Sequence, residues 1–402
     1  MKKILLFFLA MTTVMMANPK DYTILISFDG FRWDYVHRDL TPNIARMARE
    51  GVSASSLEPV FPSKTFPNHL SIVTGMYPEN HGIIMNSFSD PATGETYRLG
   101  DSVSVRDPKW YIAEAIWETA ERNGVRTASY FWPGSELNGP RRPYYRELYD
   151  HERPYGERID GILKWLQLPE AERPRFLTLY FHETDSRGHR YGPDSPEVNR
   201  GIAMLDSLLG VLVDGLGKIG MLEQTNIILT SDHGMTNVGL DRIIDVSQVI
   251  RTEDFTFTGY GPVMMIAPKP GTSEAIYKAL KSGENHYKVY WRDEMPPRFH
   301  FSNHPFISEI ILIADMGWTL LDPVIKERLS KRPGAGNHGY DNHHLDMHGI
   351  FFAMGPAFKK GYRTGTVRNI DIYPLLCRMM GIVPRANIDG SLERIGFVLK
   401  EE

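Results

Sequence analysis

Three short apolar runs, from Tyr22 to Phe28, Phe176 to Phe181 and Asn226 to Thr230, constrain this chain more than any other feature in it. None alternates polar with apolar residues, so none suits a sheet with one wet face; each reads as a strand buried on both sides. Helical stretches lie between them. Thr41-Pro42 offers a capping residue and a proline at a first helical position, and Gly51 closes that segment. A helix from Trp110 to Arg122 leads into a strand from Val125 to Phe131, and further helices are predicted from Glu157 to Gln167, Val198 to Leu216 and Asn369 to Met380, with a strand from Gly349 to Met354. Strands alternating with helices in this way predict an α/β fold, a mostly parallel central sheet sandwiched by helices.

The 402 residues suffice for one large α/β domain or for a main domain with an insertion. From Gly261 to Asp315 a strand, a helix and two more strands form a small α+β interlude, read as an insertion or cap at about 255–330 of a catalytic domain spanning 18–402. A net charge of -4 with both signs well mixed gives no broad basic face, which argues against nucleic acid as an obligate partner. The start, Met1-Lys2-Lys3 followed by an apolar run from Ile4 to Met11 and a small residue at Ala17, has the layout of a signal peptide over 1–17, although Met15 fits an A-x-A-like cleavage site poorly. Export to a periplasm or to the outside is therefore expected. No later run of about 20 apolar residues exists to span a membrane. The lone Cys377 can form no internal disulfide, and no cysteine near the leader offers a lipid attachment point, so stability must come from packing and metal.

Three acidic motifs follow the three strands: Asp29-Gly30, Asp185-Ser186-Arg187-Gly188-His189 and Ser231-Asp232-His233-Gly234. Ligands in open α/β sheets sit beyond the carboxyl ends of the strands. A lone D-x-x-x-H is more often a helix-capping Asp beside an exposed His. An Asp-His pair leaving a wholly apolar strand is a stronger signal, because burying it without a partner is costly. Mixed Asp/His donors suit zinc or another transition metal, whereas calcium and magnesium prefer oxygen alone. Asp29, Asp232 and His233 can form one site, and Asp185 and His189 another, completed by a histidine from the Gly336 to His348 stretch. His338 lies there between Asn337 and Gly339, but His343, His344 and His348 are neighbours, and the cluster alone does not choose among them. The nucleophile candidate is Thr65, with Ser63 second, in Pro62-Ser63-Lys64-Thr65-Phe66-Pro67-Asn68-His69, a proline-marked loop entering a helix that ends at Gly75. A helix N-terminus offers free N–H groups to a phosphate, and a metal at the threonine oxygen would lower its pKa.

Those runs, with Thr74-Gly75-Met76-Tyr77-Pro78-Glu79-Asn80-His81-Gly82-Ile83 and His338-Gly339-Tyr340-Asp341-Asn342, resemble the nucleotide pyrophosphatase/phosphodiesterase family of the alkaline phosphatase superfamily, and they span nearly the whole chain in the family's order. The resemblance implies an alkaline phosphatase-like core and two zinc ions: one held by Asp29, Thr65, Asp232 and His233 that activates the threonine, the other by Asp185, His189 and His338 that readies water. It assigns Asn86 to a phosphate oxygen, an uncharged donor suited to a singly charged diester. It also implies an aromatic slot for a nucleobase from Phe66 and Tyr180, with Tyr149 contributing. Core packing beside a loop and a strand end is the plainer reading of Phe66 and Tyr180. Thr65-Phe66-Pro67-Asn68-His69 lacks both the Cys/Ser and the Arg of the sulfatase motif.

The expected activity is hydrolysis of nucleotide phosphodiester and pyrophosphate bonds to nucleoside 5'-monophosphates through a covalent threonine ester. The alternatives are a lysophospholipid or choline-phosphate diesterase on the same metals, and an inactive zinc-binding protein, which predicts a lost ligand or nucleophile. All seven positions are filled.

Overall fold

The computed structural model describes residues 21–321, 327 and 334–401. The leader over 1–17 and part of the 255–330 segment therefore lie outside the described residues. The central sheet uses eight strands: β1 (Tyr22–Phe28), β2 (Val52–Ala54), β3 (Thr127–Tyr130), β4 (Tyr145–Glu147), β5 (Phe176–Phe181), β6 (Thr225–Thr230), and, after four strands of a second sheet, β11 (Phe351–Met354) and β12 (Tyr362–Thr364). Their spatial order is β12-β2-β11-β6-β1-β5-β3-β4. Every pairing is parallel except those of β11, which runs antiparallel to both β6 and β2. The sheet is thus mostly parallel, as the unalternating runs predict.

β1, β5 and β6 lie in the middle of the sheet and are buried along their whole length. Leu25 and Ile228 face one core, with helices α2 (Thr65–Thr74), α3 (Ile116–Arg122) and α8 (Ile372–Met380); Ile24, Ile26, Ile227 and Leu229 face the other, with α1 (Pro42–Glu50), α4 (Tyr155–Leu166) and α6 (Pro196–Lys218). Helices therefore cover both faces. Registers such as Ser27 beside Tyr180 and Ser27 beside Thr230 bring the three strand ends level. Asp29, the start of the helix carrying Asp185, and Asp232 consequently emerge on one rim.

Three local expectations shift. The helix predicted from Trp110 begins only at Ile116, because Pro108–Trp110 forms a separate 3-10 turn and Glu118 Oε1 accepts the Ala115 N–H as the helix opens. Thr41 does not cap α1 with its side chain; Asp206 on α6 takes the Asn43 and Ile44 N–H groups instead, at 3.1 and 2.8 Å. Asp185 and His189 sit on a helix, α5 (Glu183–Tyr191), one turn apart on one face. The interlude forms its own four-stranded antiparallel sheet from β7 (Phe255–Thr258), β8 (Val263–Pro268), β9 (Tyr287–Trp291) and β10 (Ile310–Ala314), ordered β7-β8-β10-β9, with α7 (Ser273–Ser282) packing Ile276 and Leu280 into its core. No helix among the described residues is long and apolar enough to cross a membrane.

Candidate active site

The rim of the central sheet opens into a cavity of about 500 Å³ lined by Asp29, Thr65, Phe66, Asn86, Tyr149, Tyr180, Asp185, His189 and His338, among others. None of its lining residues comes from the second sheet. Thr65 is the first residue of α2, so its hydroxyl lies at the helix end that carries free N–H groups and the positive end of the dipole. Thr65 Oγ1 lies 3.3 Å from His233 Nε2. Asn86 Oδ1 accepts the Phe66 N–H at 2.9 Å, which fixes the amide beside Thr65 and leaves its NH₂ donors for another partner.

All three expected histidines are oriented by backbone carbonyls. Nδ1 of His189 donates to Gly336 O at 2.9 Å, Nδ1 of His233 to Gly234 O at 2.8 Å, and Nδ1 of His338 to Ser63 O at 2.8 Å. A carbonyl only accepts, so each Nδ1 carries a proton and each Nε2 faces the carboxylates. His233 Nε2 lies 3.0 Å from Asp232 Oδ2 and 3.4 Å from Asp29 Oδ1. His189 Nε2 lies 3.3 Å from Asp185 Oδ1, and His338 Nε2 lies 3.6 Å from that oxygen and 3.1 Å from His189 Nε2. Asp29 Oδ1, Asp185 Oδ1 and Asp232 Oδ2 are buried without a hydrogen-bond partner. Unpaired carboxylate oxygens converging with imidazole lone pairs form a donor set for cations. Asp185, His189 and His338 bring one such set within 4.8 Å, and Asp29 groups with Asp185 and His233 in another.

The electrostatics say the same. Burial, reinforced by the neighbouring carboxylates, pushes Asp29 and Asp232 well above the usual carboxylate range. Burial pushes His338 well down, helped by His233 and Lys64. For Asp185 and His189 burial opposes the charged forms, but their mutual attraction outweighs it, lowering the acid and raising the base.

Two residues that the sequence pattern did not single out complete the scaffold. His69, one turn after Thr65 on α2, donates from Nδ1 to Thr65 O at 2.8 Å and accepts Ser27 Oγ at Nε2 at 2.8 Å; Nδ1 also lies 3.4 Å from Asp232 Oδ2. With both nitrogens engaged it acts as a strut between strand end and α2. Its i+4 spacing from Thr65 was the available signal. Lys64 donates from Nζ to His338 O at 2.5 Å, and burial brings its amine down to about 8. Tyr180 donates to Asp29 Oδ2 at 2.5 Å and is 7% exposed, so it braces a carboxylate and offers the cavity little ring surface; Tyr149 is 43% exposed. Phe66 is half-buried and packs edge-on to Tyr97.

The family model for type I phosphodiesterase/nucleotide pyrophosphatase matches residues 23–341. The chain belongs to this family. Ectonucleotide pyrophosphatase/phosphodiesterase family member 5 of Homo sapiens is 36% identical over 373 residues, covering 92% of this chain and 76% of the relative. The bis(5'-adenosyl)-triphosphatase enpp4 of Xenopus laevis is 37% identical over 389 residues, covering 96% and 83%. Against member 1 of Rattus norvegicus, 39% identical, the chain spans 42% of the relative's length. The solved murine ectonucleotide pyrophosphatase/phosphodiesterase 5, as an inactive threonine-to-alanine variant in complex with AMP, matches with a TM-score of 0.89 at 33% identity, covering 94% of this chain and 100% of that one. Phosphodiesterases of this family thus share the fold, and the alkaline phosphatase-like α/β architecture follows from that likeness.

Proposed function

We propose that this chain is an exported, di-zinc nucleotide phosphodiesterase and pyrophosphatase that releases nucleoside 5'-monophosphates through a covalent ester on Thr65. The observation that carries the reading is Thr65 Oγ1 at the N-terminus of α2, 3.3 Å from His233 Nε2 and in one cavity with Asp29, Asp185, His189 and His338. The AMP bound by the murine relative supports a nucleotide, and the enpp4 name supports a pyrophosphate-linked one.

Asp29, Asp232 and His233, with Thr65, would hold one zinc ion, and Asp185, His189 and His338 the other. Bound there, the ions supply positive charge that eases ionisation of hydroxyl and water and offsets charge on the phosphoryl oxygens. The chain's own residues do the rest. Thr65 Oγ attacks phosphorus in line, its proton passing to solvent; the bond to the leaving oxygen breaks and that oxygen gains a proton from water. Asn86 donates its NH₂ to a phosphoryl oxygen, and the α2 N–H groups add to that field. Water then attacks the phosphothreonine from the opposite side, the bond to Oγ breaks, and Thr65 regains its proton. Phe66 and Tyr149 flank the base, with Tyr180 at the slot's floor.

The test is Thr65→Ala, assayed on p-nitrophenyl thymidine monophosphate with metal content measured in parallel. Turnover should vanish while the metal remains; full activity in the variant refutes the role of Thr65.

A further inference from the structure

The second sheet lines none of the cavity, yet it grips the loop that carries His338 at two neighbouring residues. Tyr340 is buried in the core of that sheet, which also holds Met264 and Leu312, and its hydroxyl donates to Trp318 O at 2.9 Å. Asp341 is met by Arg298, whose Nη1 and Nη2 donate to Oδ1 and Oδ2 at 2.7 and 2.5 Å. Arg298 belongs to a 3-10 turn, Pro297–Phe299, in the connection from β9 to β10.

The same connection reaches the loop that enters α2. Phe299 and Phe301 pack on Phe61, with ring centroids 4.5 and 5.4 Å apart, in the segment just before Thr65. The two loops are also joined directly: Ser63 Oγ donates to Tyr340 O at 3.0 Å and accepts the Gly339 N–H at 3.1 Å. Farther along, Glu79 Oε2 accepts the Ser302 and Asn303 N–H groups at 2.7 and 2.8 Å, which ties the connection to the main domain beyond α2.

We propose that the second sheet is a positioning unit for His338, acting through the Arg298–Asp341 pair, and that Arg298 is a positioning residue of the site. The inference rests on the metal assignment proposed above and deepens it.

Two features favour this role over a merely stabilising one. His338 lies in a loop between Gly336 and Gly339, and Gly339 has a φ of +112°. Glycines leave a chain more freedom to lose than other residues do, so the loop does not hold His338 by its own stiffness. A guanidinium paired to both oxygens of one carboxylate fixes direction as well as distance, and so imposes the position from outside. The pair is also a poor source of stability: the Arg298 and Asp341 side chains are 41% and 22% exposed, and ion pairs that meet water contribute little to folding. Loss of the pair should therefore disturb the site much more than the fold.

Arg298→Ala tests this. Zinc-loaded protein is challenged with graded chelator, and residual zinc is read beside urea denaturation and kcat and KM on p-nitrophenyl thymidine monophosphate. One of the two ions should be held about tenfold to hundredfold more weakly, the usual effect of removing a partner that orients a ligand, and the other as before. kcat should fall with little change in KM, and the urea midpoint should stay at the wild-type value. Arg298→Lys, which keeps the charge and loses the two-pronged contact, should lie between. Asp341→Ala should reproduce the loss, and the double variant should be no worse than Asp341→Ala alone. Both ions held at wild-type affinity in Arg298→Ala overturn the proposal. So does equal weakening of both ions with a lowered urea midpoint, since that marks a structural role alone. Wild-type protein that retains no zinc defeats the metal assignment itself.

Discussion

His189 and His338 point their Nε2 atoms at each other across 3.1 Å, while their Nδ1 protons are committed to the carbonyls of Gly336 and Ser63. Two neutral rings so placed repel through their Nε2 lone pairs, and a cation between them and Asp185 Oδ1, which is buried without a hydrogen bond, would relieve that repulsion. Zinc-loaded protein should contain two ions per chain by elemental analysis. His338→Ala should retain one and lose more than about a hundredfold in kcat/KM. Two ions in that variant would remove His338 from the ligand set.

Asn86 is held by one hydrogen bond and free to make others. Asn86→Ala should lower kcat/KM on p-nitrophenyl thymidine monophosphate by about 10²–10³, the usual effect of deleting a donor aimed at transition-state charge. Asn86→Asp should lose more, because a carboxylate would face the anionic phosphoryl group. A loss below threefold in Asn86→Ala would take this side chain out of catalysis.

Gly30 couples the backbone to the site. Its φ is +65°, and a Cβ there would lie 2.8 Å from Asp185 Cα. Gly30→Ala must therefore either strain the turn or move α5, at a cost of about 1–3 kcal/mol. The midpoint of urea denaturation should fall, and metal affinity should fall with it. Wild-type stability and metal content together would contradict the close packing of this turn on Asp185.

His81, buried against Ser71 and Pro67, gives a pH signature. Burial brings its imidazole from 6.5 to about 3; Nδ1 accepts the Ile83 N–H at 3.2 Å, and Nε2 lies 3.1 Å from Pro67 O. The folded-state pKa lies below the unfolded one, so this contribution is fully present above pH 6.5 and is lost as pH falls toward 3, where only the unfolded chain takes the proton readily. The slope is up to about 1.4 kcal/mol per pH unit. His81→Gln should be less stable at pH 7.5 yet show a shallower acid decline in denaturation midpoints. An equal slope in both proteins would show that His81 is not buried neutral.

Much of the fold was readable because strands buried on both faces are mostly apolar and carry no charged residue until they end. Phe176–Phe181 and the run into Asp232 therefore announced both the sheet and its rim. Helix starts were less readable: α1 is capped by Asp206, more than 160 residues away, in place of its own Thr41, and only the folded chain brings that carboxylate to the amides. Among the four nearby histidines, the family resemblance favoured His338, while the residue pattern alone did not. The folded chain separates them physically. His343 binds Glu58 at the surface, His344 is exposed, and His348 holds Ser56 through Nδ1, whereas His338 turns Nε2 to Asp185.

The sequence by itself determined the strand-helix alternation, the three acidic strand ends and the threonine entering a helix, because hydrophobic pattern and capping chemistry are local. Tertiary structure alone decided which nitrogen of each histidine faces the carboxylates, that His69 braces α2, and that His151 stacks on His182. Those depend on carbonyls and rings brought together across tens to hundreds of residues, and no local pattern encodes such a distance.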